Sequence, residues 1–130
     1  FFGAAAARAP RCEDAVGGDS LFYLLDEDRG LAKVRASYER TPADSSFGLA
    51  VDGLYLARFG DADLAAEAFG KALLLDQLWL QFAWTPVMEP ARRPPRFKEV
   101  LDELKLVDYW RATRWPERCR PLGEPDFECF

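Results

Sequence analysis

Between residues 45 and 77, apolar side chains recur at steps of three and four. Phe47, Val51, Leu54, Tyr55 and Phe59 form one such series, and Leu64, Ala65, Ala68, Phe69, Ala72, Leu73 and Leu75 form another. This spacing lines up side chains along one stripe of an α-helix. Only Gly60 and Asp61 separate the two series. Glycine tolerates the left-handed conformation that ends a helix, and Asp61 or Asp63 suits the N-cap of the next one. Asp44 and Ser45 suit the N-cap of the first. The pattern predicts a helical hairpin with a very short turn.

The flanks carry weaker versions of the same pattern. Upstream, "DSLFYLLDEDRG" and "GLAKVRASYERTP" predict two further helical pieces. Asp19 or Ser20 would cap the first. Leu31, Val34 and Tyr38 line the second, which Pro42 stops. Downstream, "LLLDQLWLQFAW" is apolar almost all round and ends at Thr85-Pro86. Pro90, Pro94 and Pro95 predict an extended, stiff connection, with Pro95 also fit to start a helix. Phe97, Val100, Leu101 and Leu104 then share one helical face, with a break expected near Lys105 before Leu106, Val107 and Trp110. β-Branched residues are few and alternation is absent, so no strand is predicted. Residues 116–130, rich in proline and glycine, are expected to be an irregular C-terminal tail. The expected class is all-α, built from antiparallel helical hairpins over residues 1–115.

The hairpin resembles a tetratricopeptide repeat. Leu49 takes the first apolar place of that pattern, Gly53 the small one, and Ala65, Phe69 and Ala72 the small and aromatic places of the second helix. Asp52 stands where an apolar residue is usual, Leu56 replaces an aromatic, and Gln77 replaces the closing proline. The stretch from Trp84 to Cys119 resembles the segment that closes repeat arrays in many bacterial regulators and nucleotide cyclases. Pro90, Arg92 or Arg93, Pro95, Arg96, Phe97, Leu101, Leu104, Leu106, Tyr109 and Trp110 carry that likeness. Lys105 departs from it, since glycine is usual there. The resemblance implies an α-solenoid with its clearest repeat at 45–77 and its closing segment at 86–115. The opening "FFGAAAARAP", without a methionine, reads as the remains of an alanine-rich helix and is expected to belong to a longer chain, while the resemblance implies a place on the cytoplasmic or periplasmic face of a membrane-linked bacterial protein. Arg96 is expected to pair with a carboxylate of the preceding hairpin and, with Phe97 and Trp110, to form the structural cap.

Composition removes several chemistries. The chain has 130 residues, no histidine, three cysteines, four tryptophans and a net charge of −5. Without histidine there is no Ser-His-Asp or Cys-His site and no imidazole metal site. Residues 89–120 hold nine basic and six acidic side chains. That is a thin footprint for a phosphate backbone and argues against nucleic acid. "DEDRG" and "GDADLAAE" lack the glycine and glutamate of an EF-hand loop, so helix capping explains their acids better. No metal, cofactor or catalytic residue is expected, and no apolar run approaches the length for direct membrane insertion.

Cys119 and Cys129 bracket "RPLGEPDFE", whose proline and glycine favour a turn. Two readings stand open. One is a disulfide, worth roughly 2 to 3 kcal/mol for a loop of this size. The other is a pair of reduced thiols. Cys12 reads as a small apolar residue rather than a nucleophile. The tryptophans read mainly as core; an aromatic-lined peptide groove would make Trp115 its most accessible member. The expected activity is non-catalytic docking of a protein, a peptide or another part of the same chain, with Asp52, Tyr55, Arg58 and Trp115 as contact candidates. An effector-sensing domain with a small-molecule pocket is the alternative.

Overall fold

A computed structural model describes residues 26–130. The expectations for the first 25 residues, including a helix capped by Asp19 or Ser20 and the role of Cys12, lie outside them. The described chain is mostly helical. Helix α1 (Glu27–Arg40) starts where Asp26 accepts a hydrogen bond from the backbone N–H of Arg29 at 3.1 Å. "DEDRG" therefore opens α1 instead of closing an earlier piece. Its acids lie in the first turn and Arg40 in the last, matching the helix dipole at both ends.

Helices α2 (Ser46–Arg58) and α3 (Ala62–Leu75) form the predicted hairpin and are the most extensively packed pair. Ser45 caps α2 by accepting from Gly48 N–H, and Asp61 caps α3 by accepting from Leu64 N–H. Gly60 between them has φ 88°, the left-handed turn expected of it. A Cβ added at Gly53 would lie 2.9 Å from Phe69 Cβ and 3.0 Å from Phe69 N. The small residue thus lets the two backbones approach closely. Leu49, Leu56, Phe69 and Leu73 fill the interior beside Ala50, Ala65, Ala68 and Ala72.

The apolar run after α3 is not one helix. Asp76 takes an extended conformation and accepts from Leu78 N–H at 3.0 Å, which starts a 3-10 turn at Gln77–Trp79 and then the short α4 (Leu80–Ala83). The proline-rich connection is also more helical than expected. Pro86 starts a 3-10 turn (Pro86–Met88), and Pro90 sits in the first turn of α5 (Glu89–Arg92). Proline's fixed φ suits a first helical turn, where its missing N–H is not needed. Of Pro90, Pro94 and Pro95, only Pro94, with ψ 149°, is extended, just before α6 (Pro95–Glu103).

Helix α6 packs against α3, and its Phe97, Val100 and Leu101 are buried. Lys105 (φ 62°) makes the expected break in a left-handed conformation, after which α7 (Leu106–Ala112) places Val107 and Trp110 in the core. The tail is not irregular. Strands β1 (Cys119–Pro121) and β2 (Phe127–Cys129) pair antiparallel, with Cys119 opposite Cys129 and a disulfide joining them. Proline and glycine in 121–125 supply the connection between the strands, while the cross-link and Phe127, 2% exposed, provide what short strands lack.

Candidate docking face

Helix α2 is apolar on two sides. Leu49, Ala50, Gly53, Leu56 and Ala57 point into the core. Phe47, Val51, Leu54, Tyr55 and Arg58 fall on another stripe, at the three-, four- and seven-residue offsets that share a helix face. The periodic series seen in the sequence is therefore largely the outward stripe. Phe47 is 68% exposed and Tyr55 42%. Val51, Leu54, Tyr55 and Arg58, with Val87 from the 3-10 turn before α5, line a depression of about 400 Å³. The apolar surface continues from Phe47 to Trp79 (ring centroids 6.0 Å apart) and on to Phe82 (5.5 Å). Leu78, in the 3-10 turn that Asp76 caps, is 75% exposed.

Arg58 gives this surface its charge. Its Nη1 lies 3.3 Å from Glu27 Oε1, and its guanidinium sits 5.7 Å from the Phe59 ring. Tyr55 stacks on the same ring at 6.4 Å. Both members of the ion pair are well exposed. Such pairs contribute about 0 to 1 kcal/mol, so Glu27 holds Arg58 only weakly.

Of the four contact candidates read from the sequence, Tyr55 and Arg58 line the depression. Asp52 does not. It is 5% exposed and turned toward α1, where it accepts from Ser37 Oγ at 2.9 Å and from Thr41 Oγ1. A carboxylate this deeply buried is accommodated because two hydroxyls at the end of α1 supply hydrogen bonds. Trp115 packs between Trp110 and Phe127, each at 5.8 Å, with Arg111 over its ring, and does not line the depression. Val51, Leu54 and Val87 were missed as site residues. The available signal was the second apolar series within α2: a helix apolar on two sides needs two covers.

The basic cluster is engaged within the chain. Arg96 binds Glu99 and Glu103 of its own helix at 3.2 and 3.1 Å, not the preceding hairpin. The buried guanidinium is that of Arg92, which ties α5 to the end of α4. It is 4% exposed, and its Nη1 donates to the carbonyls of Ala83 (2.7 Å) and Thr85 (2.9 Å). Burial lowers its pKa, Glu89 opposes that effect and Arg118 adds to it. Arginine nevertheless stays charged. Arg93 binds Glu89, and Lys98 binds Asp126 at 3.1 Å. These partners compete with phosphate for the same donors. Phe97 and Trp110 do pack around Trp84, at 5.9 and 6.3 Å.

Among the described residues, no group of three or more His, Cys, Asp or Glu is placed to hold a metal ion, and no helix is long and apolar enough to cross a membrane. No protein-family model, curated protein or solved structure matches the chain.

Proposed function

We propose that this chain is a non-catalytic docking module of helical-repeat type, resembling tetratricopeptide repeats, within a bacterial regulator or scaffold. The outward stripe of α2 carries the reading: a helix whose core side is already filled still presents Val51, Leu54 and Tyr55 to a shallow depression, with Phe47 exposed one turn before them. The ligand that fits is a protein segment with two or three apolar anchors at helical or alternate spacing and a carboxylate placed for Arg58. Selecting random displayed peptides on the chain tests this. Enriched sequences should be apolar with an acidic flank. Val51→Asp and Tyr55→Asp should each weaken their binding at least tenfold while the melting temperature holds within a few degrees. Enrichment that survives both substitutions would place docking elsewhere.

The volume of the depression, about 400 Å³, also falls within the roughly 300 to 1,000 Å³ of small-molecule sites. That favours effector sensing as a second reading. A metabolite that raises the melting temperature of the chain but not of Val51→Asp supports it. A screen with no such metabolite removes it.

A further inference from the structure

The C-terminal hairpin behaves as a ligand that the chain supplies to itself. From Arg120 to Asp126 every residue is exposed. The hairpin is held to the helices through the connection that leads into β2 and through two buried side chains, Cys119 and Phe127. Phe127 is 2% exposed and packs on Trp115, with Lys98 Nζ 5.5 Å from its ring centroid. Asp126 binds Lys98 at 3.1 Å. Nη2 of Arg111 donates to the carbonyls of Gly123, Pro125 and Asp126 at 3.4, 2.9 and 3.0 Å. An acid–aromatic pair thus fills a slot made by two cations and an indole. The slot continues a ladder of rings, Trp115 to Trp110 to Trp84. The paired strands are only three residues each, and such a ribbon is marginal alone in water. The Cys119–Cys129 bond crosses it at its open end, where the two cysteines are register partners.

We propose that this disulfide is a redox latch. Closed, it keeps Asp126 and Phe127 in the slot formed by Lys98, Arg111 and Trp115. Reduced, it frees the hairpin and opens the slot while the helices stay folded. Closing a loop of this size favours the seated hairpin on the order of a hundredfold. The reductant is a dithiol. Its thiolate attacks Sγ of Cys129, the half-buried member, because Cys119 is 3% exposed. The electron pair of the S–S bond leaves on Sγ of Cys119, which takes a proton. The second thiol of the reductant then displaces Cys129, which takes the other proton. Two electrons and two protons pass, two cysteine thiols form, and the dithiol becomes a disulfide. The latch is independent of the α2 face, so either reading stands if the other fails.

The test uses the full chain carrying Cys12→Ser, oxidised and then reduced with dithiothreitol, with thiols counted to verify each state. Reduction should shift tryptophan emission to the red, raise acrylamide quenching, and speed tryptic cleavage after Arg118 at least tenfold, with helical ellipticity unchanged. Cys119→Ser with Cys129→Ser should show the reduced behaviour with or without dithiothreitol. Phe127→Ala should reproduce part of it in the oxidised chain. Emission, quenching and cleavage that ignore the disulfide would overturn the proposal. Loss of helical ellipticity on reduction would overturn it too, because the bond would then be a staple for the whole fold.

Discussion

At Gly53 there is no room for a single extra methyl group. The nearest atoms to an added Cβ are Phe69 Cβ at 2.9 Å and Phe69 N at 3.0 Å. One of them is backbone, so α3 itself would have to move. Gly53→Ala is expected to destabilise by about 1 to 3 kcal/mol, despite alanine's better helix propensity. Urea unfolding of the two chains checks this, and an equal or higher midpoint for the variant would mean the hairpin is looser than it looks. Residue-scale reading of the sequence worked where local chemistry alone decides. Ser45 and Asp61 cap their helices through their side-chain oxygens, and Gly60, with no Cβ, adopts positive φ, as these residue types predict. It failed at Asp52. Polarity suggested a solvent-facing contact, but the hydroxyls of Ser37 and Thr41, fifteen and eleven residues away in sequence, make burial possible.

The elements after α3 depend on which cation holds which end. Arg92 donates to two carbonyls at the close of α4, where the last turn leaves acceptors unpaired. Arg96 meets only exposed carboxylates on its own helix. Arg92→Ala should therefore cost about 3 kcal/mol, and Arg96→Ala no more than about 1 kcal/mol. Chemical denaturation of both variants ranks them, and the opposite order would restore the sequence-based choice of Arg96. Both residues belong to one arginine-rich stretch, and nothing in their spacing separates them. The short turns at Pro86–Met88 and Glu89–Arg92 carry Arg92 inward beside Ala83, and those turns come from proline placement that also fits an extended chain.

At the scale of the molecule, α1 is tied across the hairpin to α3. Arg35 binds Asp61 at 2.9 Å, Tyr38 donates to Glu67 at 2.6 Å, and Lys71 sits over the Tyr38 ring. Burial, then the hydrogen bond and the charge of Glu67, push the Tyr38 phenol well above its ordinary value near 10. The neutral phenol is thus favoured in the folded chain more than in the unfolded one. Its contribution is complete below about pH 10 and falls away as the pH rises further, because the unfolded chain then loses the proton first. Tyr38→Phe should flatten the alkaline decline of stability above about pH 10. Melting curves taken between pH 8 and 11 read this out, and an unchanged slope would mean other groups set the decline.

Helical class, the 46–58 and 62–75 pair, their caps and turn, and the break at Lys105 are determined by the sequence itself, because each follows from contacts within one turn of chain. The tertiary structure decided which side of α2 is interior, which arginine is buried, and that the last residues form a cross-linked ribbon. These outcomes rest on partners more than two helical turns apart along the chain: Met88 packed in the core beside α2, Ala83 offering its carbonyl to Arg92, and Phe127 meeting Trp115. The periodicity of α2 marks two apolar stripes equally well, and only the packing of α3 and the turns after it chooses which one faces solvent.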